Sequence, residues 1–198
     1  MIKMLKTLTL MTMIAAAGAA VSNAGVDNGD QAPSFALTDA AGSKVSLSDY
    51  SGKVVVLEWT NPDCPFVQRH YQEGSMKKLT SAYSDSGVVF LTVNSTNYMD
   101  RDANAAFAKK EGISWPLLVD QDGAVGHAYG AQTTPHMFII NKDGKVVYQG
   151  AIDDDPRGSK DAAERTNYVA QALDQVLAGK AVSTPETTPY GCSVKYKK

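Results

Sequence analysis

Residues Val54, Val55, Val56 and Leu57 are four consecutive apolar positions, three of them β-branched, followed by Glu58-Trp59 and then by the breaker Pro62. A run of this length without alternation reads as a strand buried on both faces, because a half-exposed strand would show every second side chain polar. A strand of that kind must be covered above and below, which confines the chain to a parallel or mixed sheet clothed by helices. Cys64 follows, with Pro65 directly after it. Proline suits the first turn of a helix, so the Cys64 sulfur is expected at the positive end of one, where a thiolate is stabilised.

The rest of the chain supports that architecture. Phe35–Thr38 and Lys44–Leu47 are short strand candidates around the turn Asp39-Ala40-Ala41-Gly42. Helix is expected after Cys64, interrupted at Gly74-Ser75, with Met76, Leu79 and Tyr83 at helical spacing. Val88–Val93 is a second buried strand, and Asp100 or Asp102 is placed to cap a helix reaching Glu111. Trp115–Val119 is a third strand. A short helix near Ala124–Tyr129 and the turn Thr133-Thr134-Pro135 follow it. Met137–Ile140 and Lys145–Gln149 flank Asn141-Lys142-Asp143-Gly144, a hairpin signature, and Tyr168, Val169, Ala172, Leu173, Val176 and Leu177 mark one face of a last helix. The order of strands and helices predicts one α/β domain over residues 25–182. Residues 183–198, which carry Cys192, read as a polar tail of linker composition.

The first 24 residues have the features of an export signal. Lys3 and Lys6 precede an apolar stretch from Leu8 to Val21, and Ser22-Asn23-Ala24 supplies small residues at the cleavage positions. The apolar stretch is about 15 residues, short of the roughly 20 that span a bilayer. The expectation is therefore a periplasmic or secreted protein with no stable membrane span after processing. Without Lys3 and Lys6 the chain has 17 basic and 21 acidic residues, and its only cationic cluster, Lys195-Tyr196-Lys197-Lys198, reads as a solvated end. That balance argues against a nucleic-acid partner. In an oxidising compartment two cysteines can pair, and two is the minimum for a redox cycle.

The element order, the cysteine after the first central strand and the Thr-Pro turn before a hairpin resemble the thioredoxin-like fold, a central mixed β-sheet flanked by helices. Within it the chain is most similar to the redoxin branch, the peroxiredoxin-like proteins related to alkyl hydroperoxide reductase and thiol-specific antioxidant proteins. The pieces that carry the resemblance are Gly29–Phe35, Cys64-Pro65-Phe66-Val67, Tyr129–Pro135 with its hairpin, and Pro189–Lys195. The resemblance implies a cis Thr134-Pro135 turn beside the active cysteine, with the backbone before Pro135 docking an extended substrate. It implies no metal or organic cofactor. A copper site built from Cys64, His70 and His136 would need the paired-cysteine motif of copper-delivery relatives, which is absent, and His70, six residues after Cys64, should point away from it on a regular helix.

Two departures leave the chemistry open. Where peroxiredoxins carry Pro-x-x-x-Thr/Ser-x-x-Cys this chain has Leu57 and Asn61, so the peroxide-binding hydroxyl is missing unless Thr60 replaces it. Where thioredoxin-like reductases carry Cys-x-x-Cys it has Asn61 before Cys64 and Val67 after it. Cys64 is the expected redox nucleophile, acting on a peroxide or on a protein disulfide, with a thiol protein as reductant. No Lys or Arg lies between Val54 and Gln68, and Asp63 would repel a thiolate, so a cation from Arg101, Arg157 or Arg165 is expected to assist. Cys192 is either a resolving cysteine that swings toward Cys64 or half of a structural staple. In the chain-entropy model closing so long a loop is worth about 4 to 5 kcal/mol. With a staple the protein would be a redox-silent binding domain. Asp153-Asp154-Asp155 reads as a solvated acidic loop.

Overall fold

The apolar run forms strand β3 (Val55–Trp59), an interior strand of a seven-stranded sheet. The computed structural model describes residues 25–198; the export signal expected over residues 1–24 lies outside the described residues. In chain order the elements are β1 (Ala36–Asp39), β2 (Lys44–Ser46), β3, α1 (Pro65–Gln72), α2 (Ser75–Ala82), β4 (Val89–Asn94), α3 (Arg101–Glu111), β5 (Leu117–Val119), α4 (Ala124–Tyr129), β6 (Thr133–Thr134), β7 (His136–Ile140), β8 (Val146–Gly150), α5 (Tyr168–Leu177) and β9 (Cys192–Ser193). The sheet runs β2-β1-β5-β4-β3-β7-β8, and β6 pairs separately with β9. β3 is parallel to β4 and antiparallel to β7, and β4 is parallel to β5, so the ladder is mixed.

The strand period of two explains why β3 has no polar face toward water. Val55, Leu57 and Trp59 enter one core with Leu91, Val93, Phe138, Ile140 and Tyr129. Val54 and Val56 enter the other with Met76, Leu79, Ile139, Tyr148, Val169 and Leu173 from α2, β7, β8 and α5. Each fully buried aliphatic side chain contributes about 1.5–3 kcal/mol, which is what fixes the register of the central ladder. The interruption expected at Gly74 separates α1 from α2, with Gly74 at φ 70, and Asp100 caps α3 by accepting the Ala103 N–H at 2.9 Å.

The C-terminal segment departs from expectation. Residues 183–198 are no loose tail but a belt across the domain. The Gln149 N–H donates to Pro185 O at 3.0 Å and the Thr187 N–H to Gln149 O at 3.1 Å. Val194 is buried in the first core. Tyr196 stacks on His127 at 3.9 Å and donates its hydroxyl to Ala131 O at 2.8 Å, so of the expected cationic end only the lysines are solvated. Hydrogen bonds to backbone anchor this polar segment where linker composition suggested freedom.

The acidic loop is also corrected. Asp153 and Asp155 are buried because two arginines from other elements reach them. Arg165 pairs with Asp155 at 3.1 Å, with Asp153 at 3.6 Å and with Glu73, and Arg69 donates to Asp155 O at 2.9 Å.

Candidate functional site

Cys64 leaves the end of β3 through a tight turn. Its N–H donates to Asn61 O at 3.0 Å, and the Asn61 side chain accepts the Asp63 N–H at 2.8 Å, so Asn61 serves the turn where a peroxidase would carry its hydroxyl. Cys64 then caps α1 in an extended conformation, Pro65 takes the first helical position, and the Gln68 N–H donates to Cys64 O at 2.9 Å. The side chain is 1 % exposed, among Val67, Tyr71, Phe107 and Leu117, and its thiol donates to Thr134 O at 2.9 Å.

Thr134 and Pro135 therefore stand against the sulfur, and the peptide bond between them is cis, as the resemblance implies. Cys192 arrives from the far end of the chain on β9, which runs antiparallel to β6 with Thr134 opposite Cys192. It is half-buried and packs on the Cys64 cluster, and both cysteines are in the thiol form. Gly191 makes this approach feasible. Its φ is 137°, and a Cβ there would lie 2.1 Å from Thr134 O. Two cysteines with no Cys-x-x-Cys spacing are thus brought to one place by the fold.

Burial by itself pushes the Cys64 thiol up. Hydrogen bonds from the Cys192 thiol, the Val67 N–H in the first turn of α1, the Thr134 side chain and the Cys192 backbone outweigh it and hold Cys64 below the ordinary thiol value. The expected cation is not among these groups. Arg101 pairs with Asp102 at the surface, Arg157 is exposed, and Arg165 is committed to carboxylates. Asp63 is exposed and its carboxylate accepts the Tyr98 hydroxyl at 3.0 Å, so water screens the repulsion expected of it. Cys192 is pushed the other way, up to about 11, by burial, by its hydrogen bond to Cys64 and by the Cys64 charge.

Thr60 is buried at the end of β3, its hydroxyl without a hydrogen-bond partner among the described residues. His70 does turn away from the sulfur, into a buried cluster with Ser75 and Tyr190, and burial lowers its pKa to about 4. His136 is buried in β7, where its Nδ1 accepts the Gln132 N–H.

Sequence reasoning missed Tyr190 and Glu58. Tyr190, two residues before Cys192, donates to Asp153 and accepts from Arg69, tying the tail to α1 and the Asp153 loop; its place in the Pro189–Lys195 block was the available signal. Glu58 lies on β3, 1 % exposed, and accepts the Tyr71 and Thr92 hydroxyls, each at 2.9 Å. Tyr71 touches the Cys64 cluster, so this acid is linked to the site through one side chain.

Burial holds a proton on Glu58 up to about pH 7, although the two hydroxyls pull its pKa down, whereas an unfolded chain loses it near 4.5. Folding therefore takes up a proton in that window. The contribution is complete below pH 4.5 and lost as pH rises through about 7, and a displacement of this size is worth about 3 kcal/mol. Glu58→Gln keeps an acceptor for both hydroxyls, so urea titrations should show the wild type losing stability between pH 4.5 and 7.5 relative to the variant. Parallel curves would mean that Glu58 ionises freely in the fold.

Comparison with known proteins agrees with this geometry. A family model for Redoxin matches residues 27–168. The thiol-disulfide oxidoreductase ResA of Bacillus subtilis (strain 168) is 30% identical over 156 residues, covering 72% of this chain and 81% of its own. Two solved structures superpose over most of the chain. A hypothetical protein from Sinorhizobium meliloti 1021 has a TM-score of 0.78 at 28% identity, covering 87% of this chain and 96% of its own. An uncharacterized conserved protein from Geobacillus kaustophilus has a TM-score of 0.77 at 33% identity, covering 86% and 93%. The chain belongs to the redoxin family of thioredoxin-fold thiol oxidoreductases.

Proposed function

We propose that this protein is a thiol–disulfide exchange protein whose working couple is Cys64 with Cys192. The observation that carries the reading is that β9 brings Cys192 opposite Thr134, whose carbonyl accepts a hydrogen bond from the Cys64 thiol at the start of α1, with Cys64 held as the more acidic partner. In the reduced protein Cys64 gives up its proton more readily than Cys192. Closing the bond between them transfers two electrons to an oxidised substrate, and a thiol protein returns them. The ResA relative, named a thiol-disulfide oxidoreductase, supports exchange over peroxide chemistry. So do Asn61 at the position of the peroxidase hydroxyl and the absence of an arginine from the groups that hold Cys64. No resident metal or organic cofactor has a part in this reading.

The test is to offer reduced protein stoichiometric oxidised glutathione or hydrogen peroxide and follow thiol loss and bond mapping by mass spectrometry. Rapid formation of a Cys64–Cys192 disulfide with glutathione, and peroxide reaction no faster than that of free cysteine, is the expected pair of results. Fast peroxide reaction would favour the peroxidase reading. A bond that forms once and resists a glutathione buffer, with a potential below about −300 mV, would make the pair a staple.

The same reading takes the protein to be exported and to work in an oxidising compartment, on the strength of Lys3, Lys6 and the apolar stretch that follows. Intact mass of the protein from its native host should correspond to a chain beginning at Gly25. A soluble protein that retains Met1 would overturn this part.

A further inference from the structure

The two sulfurs are not equally open to a partner. Exchange at a disulfide is an in-line displacement, so the incoming thiolate must approach each sulfur from the side opposite its bonded neighbour. Cys64 is 1 % exposed, in a buried cluster with Val67, Tyr71, Phe107 and Leu117 on which Cys192 packs. The backbone edge at Thr134, where an extended partner segment would pair, is already taken by β9. That strand is not easily unseated. Val194 is buried in the core and its N–H donates to Gln132 O at 3.1 Å, Tyr190 is held by Asp153 and Arg69, and Gly191 presses on Thr134 O without a gap. Cys192, by contrast, is half-exposed, with Ser193 exposed on its own strand and Lys195 exposed just beyond it.

We propose that partner thiols enter the oxidised protein at Cys192 and that β9 acts as a built-in strand which denies them Cys64. The inference rests on the Cys64–Cys192 couple proposed above. In the step, a partner thiolate bonds to the Cys192 sulfur, the Cys64–Cys192 bond breaks, and the electron pair leaves with Cys64 as a thiolate. The partner's second thiol, after losing its proton, then attacks the partner sulfur of the mixed disulfide, and Cys192 departs and takes up a proton. The partner ends as a disulfide and this protein as the dithiol, two electrons richer. The difference in acidity between the two cysteines supports the same direction, since the more acidic thiol is the better leaving group.

The experiment uses the full chain with no substitution. The oxidised protein is mixed with reduced glutathione, quenched with a maleimide at the earliest accessible times, and its peptides are mapped by mass spectrometry. The expected early species has glutathione on Cys192 and maleimide on Cys64, as the predominant mixed disulfide. Glutathione on Cys64, or an even split, would overturn the inference and leave the couple intact. A chain that forms no Cys64–Cys192 bond under oxidation would overturn the couple, and this inference with it.

Discussion

Cys64→Ser is expected to reduce disulfide exchange to the uncatalysed background, and Cys192→Ser, which removes the partner's point of entry, is expected to lose exchange as well and to permit a single oxidation of Cys64 by a small peroxide. The serine hydroxyl can still donate to Thr134 O, as the thiol does at 2.9 Å, so the first variant should fold, yet oxygen cannot form or leave a disulfide. In that variant β9 still covers Cys64, and a Cys64 oxidised by a small peroxide has no intramolecular thiol to resolve it, so it should persist as a sulfenic acid. The two thiols should also separate by pH. With a pKa of about 11, only about one Cys192 in ten thousand is thiolate at pH 7, whereas Cys64 ionises below the ordinary thiol range. Alkylation of the reduced wild-type protein across pH 5–10, with each cysteine followed separately by peptide mass spectrometry, checks this. Equal pH profiles would remove the basis for assigning Cys64 as the thiolate.

Arg165→Ala is expected to cause a large loss of stability. The guanidinium meets Glu73, Asp153 and Asp155, and removing it leaves the buried Asp153 carboxylate without its cation. Breaking a buried pair from one side costs roughly 3 kcal/mol or more, which for a chain of this size lowers the melting temperature by about 10 °C. Arg165→Lys should recover only part, because a point charge cannot reach several carboxylates as the planar fork does. Calorimetry of the three proteins decides. A change under about 1 kcal/mol would show the cluster to be solvated after all. The pH sense is opposite to that of Glu58. Burial pushes the Asp155 carboxyl up, but the Ser159 and Lys160 N–H groups and the charges of Arg165 and Arg69 outweigh it and hold it at about 2. Its contribution is present above the unfolded value of 3.8 and lost as pH falls through about 2. The cluster also bears on the site. Through Asp153 it holds Tyr190, and Tyr190 anchors the strand that presents Cys192.

Much of the scaffold is legible locally. Val54–Trp59 could only be a covered strand, Cys64-Pro65 could only begin a helix, and Asn141–Gly144 could only turn a hairpin. Each of these is written by neighbouring residues within one element, through burial period, the fixed φ of proline and turn chemistry. The α/β class follows from the alternation of such elements, whereas the pairings of β1 with β5 and of β3 with β7 join segments far apart in the chain.

What sequence left open depends on groups far apart in the chain. Thr184-Pro185-Glu186-Thr187-Thr188-Pro189 has the composition of a linker, and nothing local reveals that Thr187 lies beside Gln149 and bonds to the Ala151 N–H. Asp153 and Asp155 read as a solvated loop until Arg69 and Arg165 reach them, since a charged carboxylate is buried only where a cation or hydrogen-bond donors meet it. The same holds for the two cysteines. The sequence by itself determined the α/β class, the place of Cys64 at a helix start and a turn at Thr134-Pro135, because these rest on local periodicity and backbone chemistry. Only the tertiary structure decided that Cys192 stands against Cys64, and that hydrogen bonds rather than a cation set its acidity. Those depend on side chains converging from β6, β9 and α1, and no spacing along one chain encodes a distance across a fold.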